Sequence, residues 1–224
     1  MNKHGLPFLK GILGLILFYV IQLGFQLVFL NILLKKNFIV NNILFLIMEL
    51  ILVSVCLLMN YKKLKNDYDD FNTNYKKYLK VGFKYWLIGL MVMAISNLVI
   101  TGITGGLASN ETSVRESLKE YPIYMIFSTI LFAPFVEELT FRGNFKEAFK
   151  SNIVFIIFTA LLFSGVHVLN GISNPLELLY FIPYGALAIS FGITYTKTNN
   201  IYTTMVLHSF HNTLSIVLMI LTTL

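Results

Sequence analysis

Charged residues are scarce in this chain, since Lys, Arg, Asp and Glu make up 12% of its 224 residues while 56% are hydrophobic. A soluble domain carries about a quarter charged residues. This shortage excludes an ordinary soluble domain and predicts an integral membrane protein.

Cysteine is almost missing too, because Cys56 is the single one and lies in an apolar run. One cysteine excludes a disulfide framework and a cysteine-based metal cluster. The chain also has no GxSxG turn, no phosphate-binding loop and no HExxH pair. Any chemistry must therefore come from polar residues scattered along apolar segments.

The net charge of +6 is best explained by basic cytoplasmic loops. A nucleic-acid partner is not expected, because the basic stretch 61–80 also contains three aspartates. The heavy use of Lys, Asn, Ile and Phe is typical of an AT-rich genome and favours a bacterial source.

Seven apolar segments predict an all-α, polytopic membrane bundle of about seven transmembrane helices, forming one membrane domain over residues 1–224. An eighth, re-entrant segment is possible. The predicted spans are 11–34, 38–60, 81–103, the segment that begins at Pro122, 151–169, 176–195 and 201–224. The polar stretches 61–80, a loop or interfacial helix, and 107–121, a loop, separate some of them.

The loops also predict an orientation. Alternation through seven spans places thirteen of the 17 Lys and Arg residues on one side of the membrane. Cytoplasmic loops carry the excess of positive charge. We therefore expect the N-terminus in the cytoplasm, the C-terminus outside and the protein in the bacterial plasma membrane.

Two adjacent acids and an arginine end the fourth apolar run. In a helix, Glu138 and Arg142 are four residues apart and can pair, while Glu137 is turned by about 100° from Glu138. Ionisable residues within a span usually mark a functional site. The alternative is a charged helix end at the membrane surface.

Histidines in two later spans favour the functional interpretation. His167 lies in the fifth span, and the seventh carries His208 and Asn212, which share a helical face, with His211 beside them. If the fourth helix continues to residue 150, Glu137 and His167 lie at similar depths, about 20–24 Å from the turn near Ser151. His208 lies about 12–15 Å deep on the same side, so we expect one site open to the cytoplasm.

Such a set has two possible chemistries. A carboxylate with a histidine can deprotonate water, while a second histidine and an amide donate to a developing oxyanion, which describes amide hydrolysis. One Glu with two His could instead hold a divalent metal such as zinc. The residues alone leave the cofactor open. Glu49, central in the second span, is expected to be a protonated acid that hydrogen-bonds to another helix.

Three motifs resemble those of the CAAX-protease and bacteriocin-processing membrane proteins, the CPBP or Abi family. The family pattern of EExxxR, FxxxH and HxxxN corresponds here to Glu137-Glu138 with Arg142, Phe163 with His167, and His208 with Asn212. The resemblance covers residues 122–216, the expected protease core, and implies an intramembrane endopeptidase.

The same resemblance implies the role of each residue. Glu137 would activate water with the help of His167, and His208 and Asn212 would bind the oxyanion. Arg142 would hold Glu138, and Phe163 is expected to pack against the ring of His167. The role of His211 is open. The family has been described both as metalloproteases and as hydrolases without a metal, and we expect the second.

The expected partners are membrane lipids and a membrane-embedded or lipid-associated peptide substrate. One alternative is a bacteriocin-immunity or regulatory membrane protein of the same family that acts by binding. A small transporter is the third, which the lack of an obvious inverted repeat disfavours.

Overall fold

The computed structural model describes residues 4–35, 37–170, 172 and 174–223. Within these residues all regular structure is helical, which confirms the predicted fold class. The described α-helices are α1 (Gly5–Leu33), α2 (Phe38–Thr104), α3 (Ser109–Glu120), α4 (Pro122–Phe127), α5 (Ala133–Glu137), α6 (Asn152–Leu169), α7 (Phe181–Thr198) and α8 (Ile201–Thr223). The other helical segments are π-helices at Ser128–Phe132 and Glu138–Gly143 and 3-10 helices at Lys146–Ala148 and Pro175–Tyr180.

Six helices in the described part of the chain are long and apolar enough to cross a membrane. They present many large apolar side chains outward; Leu58, for example, is 83% exposed. Water-facing apolar patches of this extent are rare in soluble proteins, whereas lipid covers them without cost. The chain is therefore a membrane protein. The six segments are Gly5–Leu33, Phe38–Thr104, Pro122–Ala148, Asn152–Leu169, Pro175–Thr198 and Ile201–Thr222.

The count of six differs from seven because α2 is one helix of 67 residues that contains both the second and the third predicted span. The polar stretch 61–80 between them is helical as well. A single bilayer crossing needs about 20 residues, so α2 is long enough for two apolar segments and the polar one between them. Two of the basic residues that were counted to predict the orientation, Lys3 and Lys36, lie outside the described residues.

The polar stretch 107–121 was predicted as a loop, and this prediction is wrong. It contains α3, whose Arg115 Nη2 lies 2.8 Å from Oε1 of Glu111, one helical turn earlier. Low hydrophobicity concealed this helix, because the apolar pattern that predicts a span says nothing about a polar helix supported by such pairs. Before it, α2 ends at Thr104, and Gly105 adopts a φ of 74° that glycine tolerates without strain.

The segment from Pro122 begins as predicted, with proline in the first turn of α4. It does not remain helical to residue 150, as the depth estimate assumed. The second π-helix ends at Gly143, and a short 3-10 turn, Lys146–Ala148, follows. Ser151 then caps α6 by accepting a hydrogen bond from the Val154 amide at 3.4 Å, so the turn lies where the sequence placed it.

The chain forms two compact units, each built from separate stretches of sequence. We call Met1–Asn66, Ser117–Ala148 and Ser209–Leu224 the acid unit, because it contains Glu137 and Glu138. We call Asp67–Glu116 and Phe149–His208 the histidine unit, because it contains His167 and His208.

In the acid unit, α1 lies directly against the end of the acid-bearing segment, Pro122–Ala148. A Cβ atom added at Gly11 would collide with the ring of Phe145, so glycine is required for this approach. The rings of Phe18 and Phe141 meet edge to face at 5.7 Å. Phe141 and Phe145 are completely buried, and this packing fixes the end of the acid-bearing segment.

In the histidine unit, small residues bring α2, α6, α7 and α8 together. A side chain at Gly192 would press on Ile156, and one at Gly82 would collide with Leu207. Ala188, one turn before Gly192, is completely buried. The small residues Ala188 and Gly192, four apart on α7, therefore lie at a close helix contact.

The polar middle of α2 has a structural use in the histidine unit that the sequence did not reveal. The Asp67 carboxylate accepts the Ile201 amide at 3.0 Å, and the Asn200 side chain donates to Asp70 at 2.9 Å. Asp67 thus satisfies one of the amides left unpaired at the start of α8.

Candidate active site

A fully buried ion pair anchors the acid-bearing segment. Nη1 of Arg142 lies 2.6 Å from Oε1 of Glu138, and both side chains are 0% exposed. The two residues are four apart within the second π-helix, Glu138–Gly143. This confirms the predicted pairing. Removal of one partner would leave the other as a buried charge, which is strongly destabilising.

Glu137 is the last residue of α5 and is partly exposed, unlike its neighbour Glu138. Two π-helices flank α5, one before Ala133 and one after Glu137. Such π segments frequently occur at functional sites. The local structure therefore separates the two acids as predicted, with Glu138 held in an ion pair and Glu137 more accessible.

Glu49 lies on α2 within the acid unit and is 8% exposed. Its Oε1 accepts hydrogen bonds from the hydroxyls of Ser128, at 2.7 Å, and Tyr124, at 3.1 Å. Both donors belong to the acid-bearing segment. Glu49 therefore bridges two helices by hydrogen bonds, as the sequence predicted.

Asn212 contacts the same segment from α8. Its Nδ2 donates to the backbone carbonyl of Thr129 at 2.8 Å. One N–H of the amide is used by this bond, and a second N–H of the same NH₂ group can serve another acceptor. The expected role of Asn212 as an oxyanion donor stays a prediction.

His167 belongs to α6 in the histidine unit and stacks on Phe163, with ring centroids 4.2 Å apart. This confirms the expected packing of Phe163. Nδ1 of His167 lies 2.8 Å from the Phe163 carbonyl oxygen. A carbonyl can only accept, so Nδ1 carries the hydrogen and, in the neutral ring, Nε2 has the lone pair. His167 is thus arranged to act as a base or a hydrogen-bond acceptor through Nε2.

His208 is buried, 4% exposed, and is also enclosed by aromatic rings. It stacks on Phe191 of α7 at 5.3 Å, and its ring meets Phe163 edge to face at 5.9 Å. Phe163 therefore contacts both imidazoles and sets the position of one relative to the other. Aromatic pairs of this kind contribute about 0.5–1.5 kcal/mol beyond their burial.

Sequence reasoning missed the aromatic residues of α7. Tyr184 lies against the His167 ring at 5.2 Å, and Phe191 stacks on His208. A signal for them exists, because Tyr184, Ala188 and Phe191 are spaced four and three apart and so share one helical face. It passed unnoticed because aromatic residues are common throughout the apolar segments.

The structure thus brings the predicted residues together in two groups. In the acid unit Asn212 contacts the segment that carries Glu137, Glu138 and Arg142. In the histidine unit Phe163 joins His167 to His208. The joint action of Glu137 with the two imidazoles stays a prediction, as does any role for His211.

The sequence did not decide whether the site binds a metal ion, and the grouping of the possible ligand side chains is relevant to this question. Within the described residues of each unit, no three His, Cys, Asp or Glu side chains form a group that could hold a metal ion. Cys56 is buried, and its sulfur lies 4.0 Å from the Thr140 hydroxyl. We therefore derive no step through a metal.

Comparison with known proteins finds one matching family model and a curated relative. A family model described as type II CAAX prenyl endopeptidase Rce1-like matches residues 119–214, which include every motif residue named above. UPF0177 protein YvdC of Lactococcus lactis subsp. lactis (strain IL1403) is 30% identical over 152 residues, which are 62% of this chain and 56% of that protein. The chain thus spans little more than half of that relative. No solved structure matches the chain significantly.

Proposed function

We propose that the chain is a member of the CAAX-protease and bacteriocin-processing (CPBP) family of membrane proteins and acts as an intramembrane endopeptidase. In this proposal Glu137 and His167 take a proton from a water molecule, whose oxygen bonds to the peptide carbonyl carbon. The C–N bond then breaks, and the proton passes to the leaving amine. His208 and Asn212 donate hydrogen bonds to the oxyanion that forms. The two acids have separate roles in this proposal, since Glu138 pairs with Arg142 and Glu137 acts as the base.

The observation that carries the proposal is the location of all three motifs, in order, within the segment that matches an endopeptidase family model. Two structural features support it. His167 has its Nδ1 committed to a carbonyl, which leaves Nε2 for proton transfer. Glu137 is partly exposed next to a fully buried acid, as a base that must reach water should be.

The proposed substrate is a membrane-embedded or lipid-linked peptide, cleaved in the plasma membrane of a bacterium with the N-terminus of the enzyme in the cytoplasm. A prenyl group is the lipid in the name of the matching family model. A bacterial member would meet other lipid-linked peptides. The lipid requirement is therefore a separate question from the chemistry.

The test uses the full chain in liposomes with three probes of one peptide sequence: S-farnesylated, N-acylated and unmodified. Mass spectrometry detects new termini. We expect cleavage of a lipid-linked probe and a loss of about 100- to 10,000-fold in Glu137→Gln and His208→Ala, because each removes a group that acts in the transition state. Parallel reactions with a chelator measure metal dependence.

Two results would contradict this function. One is full turnover in folded Glu137→Gln. The other is a folded wild-type protein that cleaves none of the probes, while a folded Glu137→Ala variant still protects cells against a bacteriocin. The second result would favour the binding role of an immunity protein.

A further inference from the structure

Pro134 lies in the first turn of α5, three residues before Glu137. Proline has no backbone N–H and cannot donate to the carbonyl four residues earlier. The preceding π-helix, Ser128–Phe132, pairs residues five apart, and the Ala133 amide is used by the Ser128 carbonyl. Position 134 would otherwise donate to the Ile130 carbonyl in α geometry or to the Thr129 carbonyl in π geometry, so proline leaves one of these two carbonyls without its backbone donor.

These two carbonyls accept hydrogen bonds from α8. The Ser209 hydroxyl donates to the Ile130 carbonyl at 2.6 Å, and Nδ2 of Asn212 donates to the Thr129 carbonyl at 2.8 Å. Ser209 and Asn212 are three residues apart and so lie on one helical face. Both carbonyls within reach of position 134 thus have a side-chain donor from one helix.

These two hydrogen bonds are important because the acid-bearing segment is long and apolar enough to cross a membrane. Each unsatisfied backbone group within a bilayer costs several kcal/mol, since no water can replace the lost partner. Without the two α8 side chains, the turn at Pro134 would shift or close towards a more regular helix. That movement would change the direction of Glu137, which follows on the same short helix.

We propose that two hydrogen bonds, from Ser209 to the Ile130 carbonyl and from Asn212 to the Thr129 carbonyl, fix the Pro134 turn and thereby position Glu137. We call these two bonds the carbonyl clasp. Ser209 is then a positioning residue that the three motifs do not include. The effect on catalysis rests on the proposed function of Glu137, whereas the clasp itself can be tested without it.

The clasp has a second support from another helix, because the same turn is also held by Glu49 of α2. Glu49 accepts from Ser128, the residue whose carbonyl begins the irregular stretch. The turn is therefore held at a side chain, by the bond from Ser128 to Glu49, and at its backbone, by the two bonds from α8. The arrangement leaves Asn212 one N–H for the clasp and one for an oxyanion.

The kinetic test compares Ser209→Ala with Ser209→Thr, which retains the hydroxyl. We expect Ser209→Ala to lower kcat about 10- to 100-fold with KM nearly unchanged, because a catalytic group misplaced by about 1 Å costs this much. Ser209→Thr should restore most of the rate. Ser215→Ala is the matched control, since the Ser215 hydroxyl bonds within its own helix, to the His211 carbonyl at 3.1 Å.

A double-mutant cycle with Pro134→Ala tests the clasp independently of turnover. This substitution supplies the missing backbone N–H, so Ser209→Ala should lower the unfolding temperature by about 2–4 °C in the wild type and by less in the Pro134→Ala background. Thermal unfolding in detergent measures this. Equal shifts in both backgrounds would overturn the clasp.

The outcomes separate this inference from the proposed function. Wild-type turnover with an unchanged rate in Ser209→Ala overturns the positioning role and leaves the endopeptidase intact. An inactive wild type overturns the endopeptidase, while the unfolding cycle still decides the clasp. If Pro134→Ala does not fold, unfolding temperatures of Ser209→Ala and Ser209→Thr decide it, because equal temperatures contradict a hydroxyl bond that stabilises the turn.

Discussion

Glu137 lies on a segment that changes between α and π geometry, whereas His167 and His208 lie on helices that are α throughout. The acid unit holds its site segment by hydrogen bonds and an ion pair: Arg142 on Glu138, Asn212 on the Thr129 carbonyl, and Ser128 on Glu49. The histidine unit positions its imidazoles mainly by ring contacts, with Phe163 between them.

This difference follows from what each group requires within lipid. Carboxylates, and carbonyls released by proline, need donors, because the bilayer offers none. A neutral imidazole can be held by the faces and edges of neighbouring rings. Ring contacts leave nitrogens for chemistry, as Nε2 of His167 illustrates. The comparison predicts that substitutions in the acid unit act through unsatisfied polar groups and those in the histidine unit through lost packing.

The largest effect on stability is expected from Glu138→Gln. It leaves Arg142 as a fully buried charge without its carboxylate, and such changes cost about 3–5 kcal/mol. Unfolding in detergent, followed by circular dichroism, measures the loss. Glu137→Gln should unfold nearly as the wild type does, since that side chain is partly exposed.

A matched control removes both charges. The double variant Glu138→Leu with Arg142→Met should be more stable than Glu138→Gln alone, because neither charge remains buried. If Glu137→Gln and Glu138→Gln lose equal amounts of folded protein, the division of roles between the two acids is wrong.

An intermediate effect is expected from Phe163→Leu in the histidine unit. It retains an apolar side chain but loses ring contacts with both imidazoles, at a cost of about 1–3 kcal/mol for two aromatic pairs. Turnover should fall as well, because the imidazoles lose their common support. Liposome cleavage and detergent unfolding measure the two effects.

Phe158→Leu is the control for this variant. Phe158 lies on the same helix and pairs with Phe149 at 4.9 Å. It should lose about 0.5–1.5 kcal/mol, the contribution of one aromatic pair, with little change in turnover. Were both variants to lose turnover equally, ring contacts would not be what positions the imidazoles.

The smallest effect is expected from Asp67→Ala. It removes the carboxylate that accepts the Ile201 amide at the start of α8, and loss of such a cap costs about 1 kcal/mol. Asp69→Ala, two residues away and exposed, should cost less. Comparison of the two unfolding temperatures isolates the cap, and no difference between them would show that it contributes little.

Much of the fold was predictable from composition and hydrophobic runs, because a bilayer admits few structures. The starts of α4 and α8 were found at Pro122 and Ile201 within the predicted segments. The helix Ser109–Glu120 was missed, since its polar sequence lacks the apolar pattern. The continuity of α2 was also missed, because polarity alone does not tell a loop from an exposed helix.

The site was predictable where its contacts are local. Glu138 with Arg142, and Phe163 with His167, are four residues apart, and helical periodicity alone brings them together. Phe191 against His208 and Ser209 against Ile130 were not predictable. Such pairs depend on which helix faces meet.

The sequence by itself determined that this is an all-helical membrane protein and that one acid of the pair is bound to an arginine on its own helix. Only the tertiary structure decided how the polar backbone around Pro134 is satisfied. The donor Ser209 and its acceptor Ile130 are 79 residues apart, as are Ser128 and Glu49. Periodicity fixes neighbours within one helix, whereas partners on different helices are selected by the packing of the folded chain.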